Sequence, residues 1–167
     1  ADGQRHEALL GRTADHVVDR VAVVRGRGDV EEAELIRAGL NVLVTNQRSV
    51  NEIFETMRLV AGLVGAQQAA ARWIAGCEQR HAKMRAAAAA WPRRPRVYFE
   101  EWDEPMISAI QWVSQLIGIA GGEEIFPERA ACALGRDRIL EDPAEVIRRA
   151  PDIIVGSWCG KKFRPEK

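Results

Sequence analysis

The sequence predicts an α/β fold: a parallel-sheet lobe attached to a long helix. Three observations carry that prediction. Short runs rich in β-branched and aromatic residues, Asn41–Thr45, Arg96–Glu100 and Asp152–Gly156, read as strands. Helical patterns separate the last two of them, which implies parallel pairing through a right-handed crossover. Residues 66–90 hold many alanines, all strong helix formers, and at about 1.5 Å per residue would span roughly 37 Å, the length of a strut between lobes.

The elements follow in chain order. Leu10, Ala14, Val17, Val18, Val21 and Val24 recur at steps of three and four, the spacing of one helical face, and Arg25-Gly26-Arg27-Gly28-Asp29 breaks it. Glu31 to Ala38 reads as a short helix ended by Gly39. Asn41–Thr45 is a buried strand by its β-branched run. Ser49 then opens a helix, with Glu52 completing a capping box and Val50, Ile53, Phe54, Met57, Val60 and Val64 on its apolar face, up to Gly65. The alanine-rich helix stops at Trp91-Pro92.

After Pro95 comes the Arg96–Glu100 strand. Met106, Ile110, Val113 and Ile117 mark a helix ending at Gly121-Gly122. Asp142-Pro143-Ala144-Glu145 is a helix start, with Asp142 as cap, and Ala150-Pro151 ends that helix. Asp152–Gly156 is a second buried strand. In a parallel sheet, functional loops sit beyond the carboxyl ends of strands. Here those loops are Glu100-Glu101-Trp102-Asp103-Glu104 and Gly156-Ser157-Trp158-Cys159-Gly160.

Composition narrows the function classes. The 167 residues carry 24 basic and 24 acidic side chains, with 47% hydrophobic residues, as in an ordinary globular domain. Zero net charge argues against nucleic acid as a partner, since phosphate neutralisation needs a basic excess. No apolar run approaches the roughly 20 residues of a membrane span, and the N-terminus shows no signal-peptide pattern. Cys77, Cys132 and Cys159 form no C-x-x-C pair, so a zinc ribbon has no support.

Each predicted loop contains a tryptophan. Trp102 and Trp158 offer flat apolar walls with an N–H handle, suited to a bulky organic ligand, or pack beneath their loops as satellite core. The acidic loop could bind a hard cation or act in acid–base chemistry. Glu100 and Glu101 point to opposite faces of a strand, however, so a solvated rim is the simpler role. Cys159 beside Lys161 and Lys162 could be a reactive thiol, but no histidine is near in sequence. The basic stretch from Arg72 to Arg96 reads as the solvated face of a long helix. Glu123 and Glu124 read as exposed acids, either surface charge or a docking point for a basic partner.

These residues resemble a known family. Tyr98-Phe99-Glu100-Glu101-Trp102, the run Gly121 to Phe126 (GGEEIF), Arg136-Asp137-Arg138, Arg149 to Ile154, and Gly156 to Phe163 together resemble the class III periplasmic binding proteins, which serve ABC importers of cobalamin, haem and iron–siderophores. Ala33 to Ser49 is similar to the end of that family's first lobe. The resemblance implies two α/β lobes joined by a rigid interlobe helix, with ligand in the cleft between them.

By motif, the resemblance divides the chain into a divergent segment with a first-lobe remnant (1–48), a long helical connector (49–94) and a partial second lobe (95–167), truncated at both ends. It places Glu101, Trp102, Trp158 and Cys159 at the ligand and Glu123 at the lobe tip, facing arginines of the permease. It implies no catalytic residues, no metal site and no covalently held cofactor. The ligand it implies is cobalamin, haem or a ferric siderophore, and the location is the periplasm or a lipid anchor outside the inner membrane. A truncated lobe would leave sheet edges that a homodimer could cover. The alternatives of other classes are a self-associating helical interaction module that has lost ligand binding, and a thiol enzyme using Cys159.

Overall fold

A computed structural model describes residues 21–25, 31–158, 160–162 and 164. The chain divides into two compact units, residues 1–46 with 63–65, and residues 47–62 with 66–167.

In the first unit, β1 (Val21–Arg25) pairs in parallel with β2 (Asn41–Thr45), in a register running from Val21↔Asn41 to Arg25↔Thr45. Helix α1 (Glu31–Arg37) connects them. Gly39 ends it with φ of +80°, a conformation a side chain would oppose. Two sequence expectations change here. Val21 and Val24, assigned above to a helical face, lie in a strand, because the β-branched run Val-Ala-Val-Val finds a partner in β2. The other positions of that expected face, Leu10, Ala14, Val17 and Val18, lie outside the described residues. Strand β2 is only half-buried, with Val44 exposed.

The second unit starts with α2 (Val50–Leu63) and α3 (Gln67–Ala88). The capping box forms as expected: Ser49 Oγ accepts the Glu52 N–H at 3.2 Å, and Glu52 Oε2 accepts the Ser49 N–H at 2.9 Å. That pairing lowers the Glu52 pKa, mainly through the Arg48 and Ser49 backbone N–H groups. Phe54, Ile74 and Cys77 form a small core between the two helices, with Val50 and Met57 against it. At about 1.5 Å per residue α3 runs roughly 33 Å, yet it buries only a narrow stripe of residues.

The sheet of this unit is built on β3 (Arg96–Asp103). Strand β6 (Ile153–Gly156) pairs parallel with it from Val97↔Ile153 to Glu100↔Gly156, which is the predicted pairing. The other edge is shared. Strand β5 (Glu123–Glu124) pairs parallel with Arg96 and Val97, and β4 (Met106–Ser108) pairs antiparallel with Glu100, Trp102 and Asp103. Helix α4 (Gln111–Ile119) joins β4 to β5. A short helix α5 (Pro127–Ala130), a 3-10 turn (Gly135–Arg138) and α6 (Ala144–Arg149) lead to β6. Tyr98, Ile125, Phe126, Leu140 and Val146 form the main core, with Met106 packed on it.

Three details differ from the sequence reading. The acidic loop is not a loop: β3 continues to Asp103, and a turn at Glu104-Pro105, whose peptide bond is cis, returns the chain along β4. Met106 is therefore in a strand and the helix starts later, at Gln111. A helical period and a strand followed by a turn both place Met106 on the core side, so periodicity could not separate them. Strand β6 is not buried: Ile153, Ile154 and Val155 are 45%, 57% and 39% exposed, because β3 occupies one side of it and nothing among the described residues covers its face.

The start of α6 follows the sequence. Asp142 Oδ1 accepts the Ala144 N–H at 2.9 Å, and Ala150 closes the helix in a left-handed conformation, φ 45°. Asp152 then ties the end of this crossover to the start of β3. It accepts two hydrogen bonds from Arg93, at 2.7 and 2.9 Å, and one from the Arg96 N–H at 2.7 Å. The Arg93 bond chiefly, and the Arg96 amide next, pull its carboxyl down to about 2.

Candidate functional site

The parallel pairing of β3 with β6 sets the carboxyl ends of both strands side by side. The Ser157 N–H donates to the Glu100 carbonyl at 2.9 Å, so Trp158 and the Glu100–Asp103 segment occupy the same end of the sheet. This is the end where an α/β sheet places ligands.

Glu100 organises the interior of that end. It is buried, and its Oε1 accepts the Trp158 indole N–H at 2.8 Å, while its Oε2 accepts the Tyr98 hydroxyl at 3.1 Å. Both carboxylate oxygens are thus occupied, as a buried charge requires. Burial chiefly, with the adjoining Glu100 charge, pushes the Tyr98 hydroxyl well above its ordinary pKa and keeps it a donor. Trp158 is 8% exposed and its N–H is committed to Glu100, so the indole offers a ligand only its rim.

Glu101 lies at the irregular step of the β3–β4 pairing, between Glu100 and Trp102, and makes different contacts. Its Oε2 accepts from Arg138 Nη1 at 2.6 Å. Arg138 is almost fully buried and also donates to the Ser108 carbonyl, while the Ser108 hydroxyl donates to the Arg138 carbonyl at 3.2 Å. The Arg138 Nε finds no partner among the described residues. Glu101 keeps 42% of its side chain exposed, so one carboxylate bridges a buried cation and the surface. Trp102 is half-exposed. Its N–H donates to the Glu104 carbonyl at 2.9 Å, and Lys161 Nζ stands 4.1 Å from its ring centroid while bonding Asp103 at 2.9 Å. A cation over an indole face of this kind contributes roughly 0.5–1 kcal/mol at an exposed site.

The structure therefore brings Glu101, Trp102 and Trp158 to one end of the sheet. Cys159 lies outside the described residues. Glu123 is at the opposite end: it is exposed, pairs with Arg96 in β5, and its N–H donates to the Pro95 carbonyl at 2.8 Å. At about 3.3 Å per residue, Arg96 and Trp102 are roughly 20 Å apart along β3.

The neighbour of Glu123 corrects the sequence reading. Glu124 is not an exposed acid but is 7% exposed, with neither carboxylate oxygen in a well-formed hydrogen bond among the described residues. Burial raises its pKa to about 7; the Glu128 charge adds to this, and the Phe126 amide and Arg149 oppose it. Arg149 spends its charge elsewhere, on Glu128 at 2.7 Å and Glu145 at 2.6 Å, with its guanidinium 4.0 Å over the Phe126 ring.

Sequence reasoning gave Arg138 and Tyr98 no role. Arg138 stood in the Arg-Asp-Arg run as a motif, but only the fold shows that it is buried under Glu101. Among the described residues no group of three or more His, Cys, Asp or Glu side chains is placed to hold a metal ion, and no helix is long and apolar enough to cross a membrane.

Comparisons with known proteins agree with this architecture. No curated protein sequence matches the chain. Among solved structures, it is similar to an ABC transporter substrate-binding protein from Listeria monocytogenes (13% identity, TM-score 0.66, covering 85% of this chain and 54% of that one). It is also similar to the periplasmic haem-binding protein RhuT from Roseiflexus (23%, TM-score 0.65, 81% and 53%). A third is the periplasmic vitamin B12 binding protein BtuF of Vibrio cholerae (18%, TM-score 0.60, 82% and 53%). The chain spans about half the length of these structures. At these identities the likeness establishes the fold. The family assignment rests on a match of the periplasmic binding protein model to residues 21–167, most of the sequence. The chain belongs to the periplasmic binding protein family.

Proposed function

We propose that this chain is part of the substrate-binding component of an ABC importer, of the class III type, and that it captures a metal chelate: cobalamin, haem or a ferric siderophore. Its role is binding, without catalysis. The observation that carries this reading is the parallel pairing of β3 with β6, which brings Glu101, Trp102 and Trp158 to the carboxyl ends of these two strands, where such sheets hold ligands. A half-exposed indole backed by a cation suits a broad, flat ligand. Structural neighbours described as binding vitamin B12 or haem support the ligand class. Cys159, which follows Trp158 in sequence, stays a proposed ligand contact on the family resemblance alone. Residues 49–94 would serve as the connector and 95–167 as part of the second lobe, outside the inner membrane.

In this reading Glu123, exposed at the far end of β3, docks on basic residues of the permease. Its separation from the tryptophans leaves ligand capture and docking on different surfaces.

The test is a titration of the full chain with cyanocobalamin, haemin and ferrichrome, following tryptophan fluorescence and melting temperature. Saturable quenching by one of them, weakened in Trp102→Ala, supports the proposal. No response to any of the three would overturn it. Exposed Leu59 and Trp73 on α2 and α3 favour a second reading, a self-associating helical module. A homodimer in sedimentation, together with an absent ligand response, would select that reading.

A further inference from the structure

A groove of about 460 Å³ lies between α2, α3 and α4, entirely within the second unit and apart from the β3–β6 end. Its size falls in the range of small-molecule sites, roughly 300–1,000 Å³. Its floor is aromatic: Phe54 and His81 stack with ring centroids 6.1 Å apart and planes 20° from parallel. Its two ends carry opposite charge. Glu78 and Arg85 sit two turns apart on α3, about 10 Å along the axis, with His81 between them.

Among the described residues neither charge is firmly paired. The Arg85 guanidinium has no ion-pair or hydrogen-bond partner among the described residues. Among the described residues Glu78 meets only Arg58, at 3.9 Å with both side chains more than half exposed, a contact worth little. The remaining wall is polar and held in place. Gln115 Oε1 accepts the Val50 N–H at 2.8 Å, which locks α4 to the first turn of α2 and leaves the Gln115 amide N–H₂ as a donor on the groove. Asn51 beside it is fixed by its bond to Glu55 at 2.6 Å.

We infer that this groove is a second binding site, for a small planar organic molecule carrying a carboxylate at one end and an ammonium at the other. Arg85 takes the carboxylate, Glu78 the ammonium, and the Phe54–His81 pair receives the ring. The separation of the charges requires an elongated ligand, so a compact zwitterion cannot reach both.

The probe is para-aminomethylbenzoate, with benzoate and benzylamine as single-charge controls. Each is titrated against the full chain while the His81 imidazole resonances are followed by NMR, assigned by their loss in His81→Asn. The expected result is a saturable shift with para-aminomethylbenzoate. Arg85→Gln and Glu78→Gln, both surface changes, should each raise its Kd about tenfold (about 1.4 kcal/mol). Benzoate should respond only to Arg85→Gln and benzylamine only to Glu78→Gln. No shift with any probe up to about 10 mM, which spans even a weak site, would overturn the inference, as would an affinity unchanged in Arg85→Gln.

Discussion

Replacing Glu124 by Gln should change how stability depends on pH. The Glu124 carboxyl is buried beside Ile125 and Phe126, without a well-formed hydrogen bond among the described residues, and burial lifts its pKa from 4.5 to about 7. The unfolded chain releases this proton near 4.5, whereas the folded chain keeps it to about 7. Between those values the folded state holds more protons, so stability falls as pH rises through the window. At about 1.4 kcal/mol per pH unit, the loss amounts to about 3 kcal/mol. Glu128 and Asp152 do not interfere. Their folded pKa values lie below the ordinary carboxylate range, so their contributions are complete before the window opens. The assay is urea unfolding of wild type and Glu124→Gln at about pH 5 and about pH 8. Wild type should lose about 3 kcal/mol more than the variant between the two conditions. Equal losses in both proteins would refute the reasoning. Glutamine keeps the side-chain volume, so the comparison isolates the charge.

Two further outcomes test the packing. Gly122 has no room for a methyl group, since an added Cβ would stand 2.8 Å from Ile117 Cγ2 and 2.9 Å from Val97 Cγ2. Gly122→Ala should cost about 1–3 kcal/mol in urea unfolding, and a neutral result would mean that β5 can shift away from β3. Trp158→Phe keeps an aromatic ring, smaller than the indole, and leaves Glu100 Oε1 without its donor. The lost bond and the lost ring volume together should cost about 1–3 kcal/mol in the same assay, and an unchanged midpoint would show that neither carries stability.

Local features of the second unit were legible before folding because they depend on neighbours in sequence. Ser49 and Glu52 cap α2 from three residues apart, and Asp142 caps α6 from two. The β-branched and aromatic runs marked β2, β3 and β6, and the motif from Gly121 to Phe126 pointed toward the periplasmic binding proteins, the family that the match over residues 21–167 shows. Where neighbours leave two answers open, the reading failed. Val21 and Val24 fit a helical face and a strand equally well, and pairing with β2 decides for the strand. Met106 has a core-facing place in both a helix and β4, and antiparallel pairing with Asp103 decides for β4.

By itself, then, the sequence determined the α/β class, the helix caps and the parallel joining of β3 to β6, because propensity and capping act over a few residues. The tertiary structure alone decided burial. Glu123 and Glu124 are adjacent and identical in chemistry, yet one faces solvent and the other the core. Trp102 and Trp158 end adjacent strands, yet Trp158 is held under Glu100 while Trp102 stands half-open beneath Lys161. Arg138 became a structural cation only when the fold laid it against Glu101 and Ser108, 37 and 30 residues away. Such differences arise because a side chain's solvation is set by residues distant in the chain, and no local pattern encodes them.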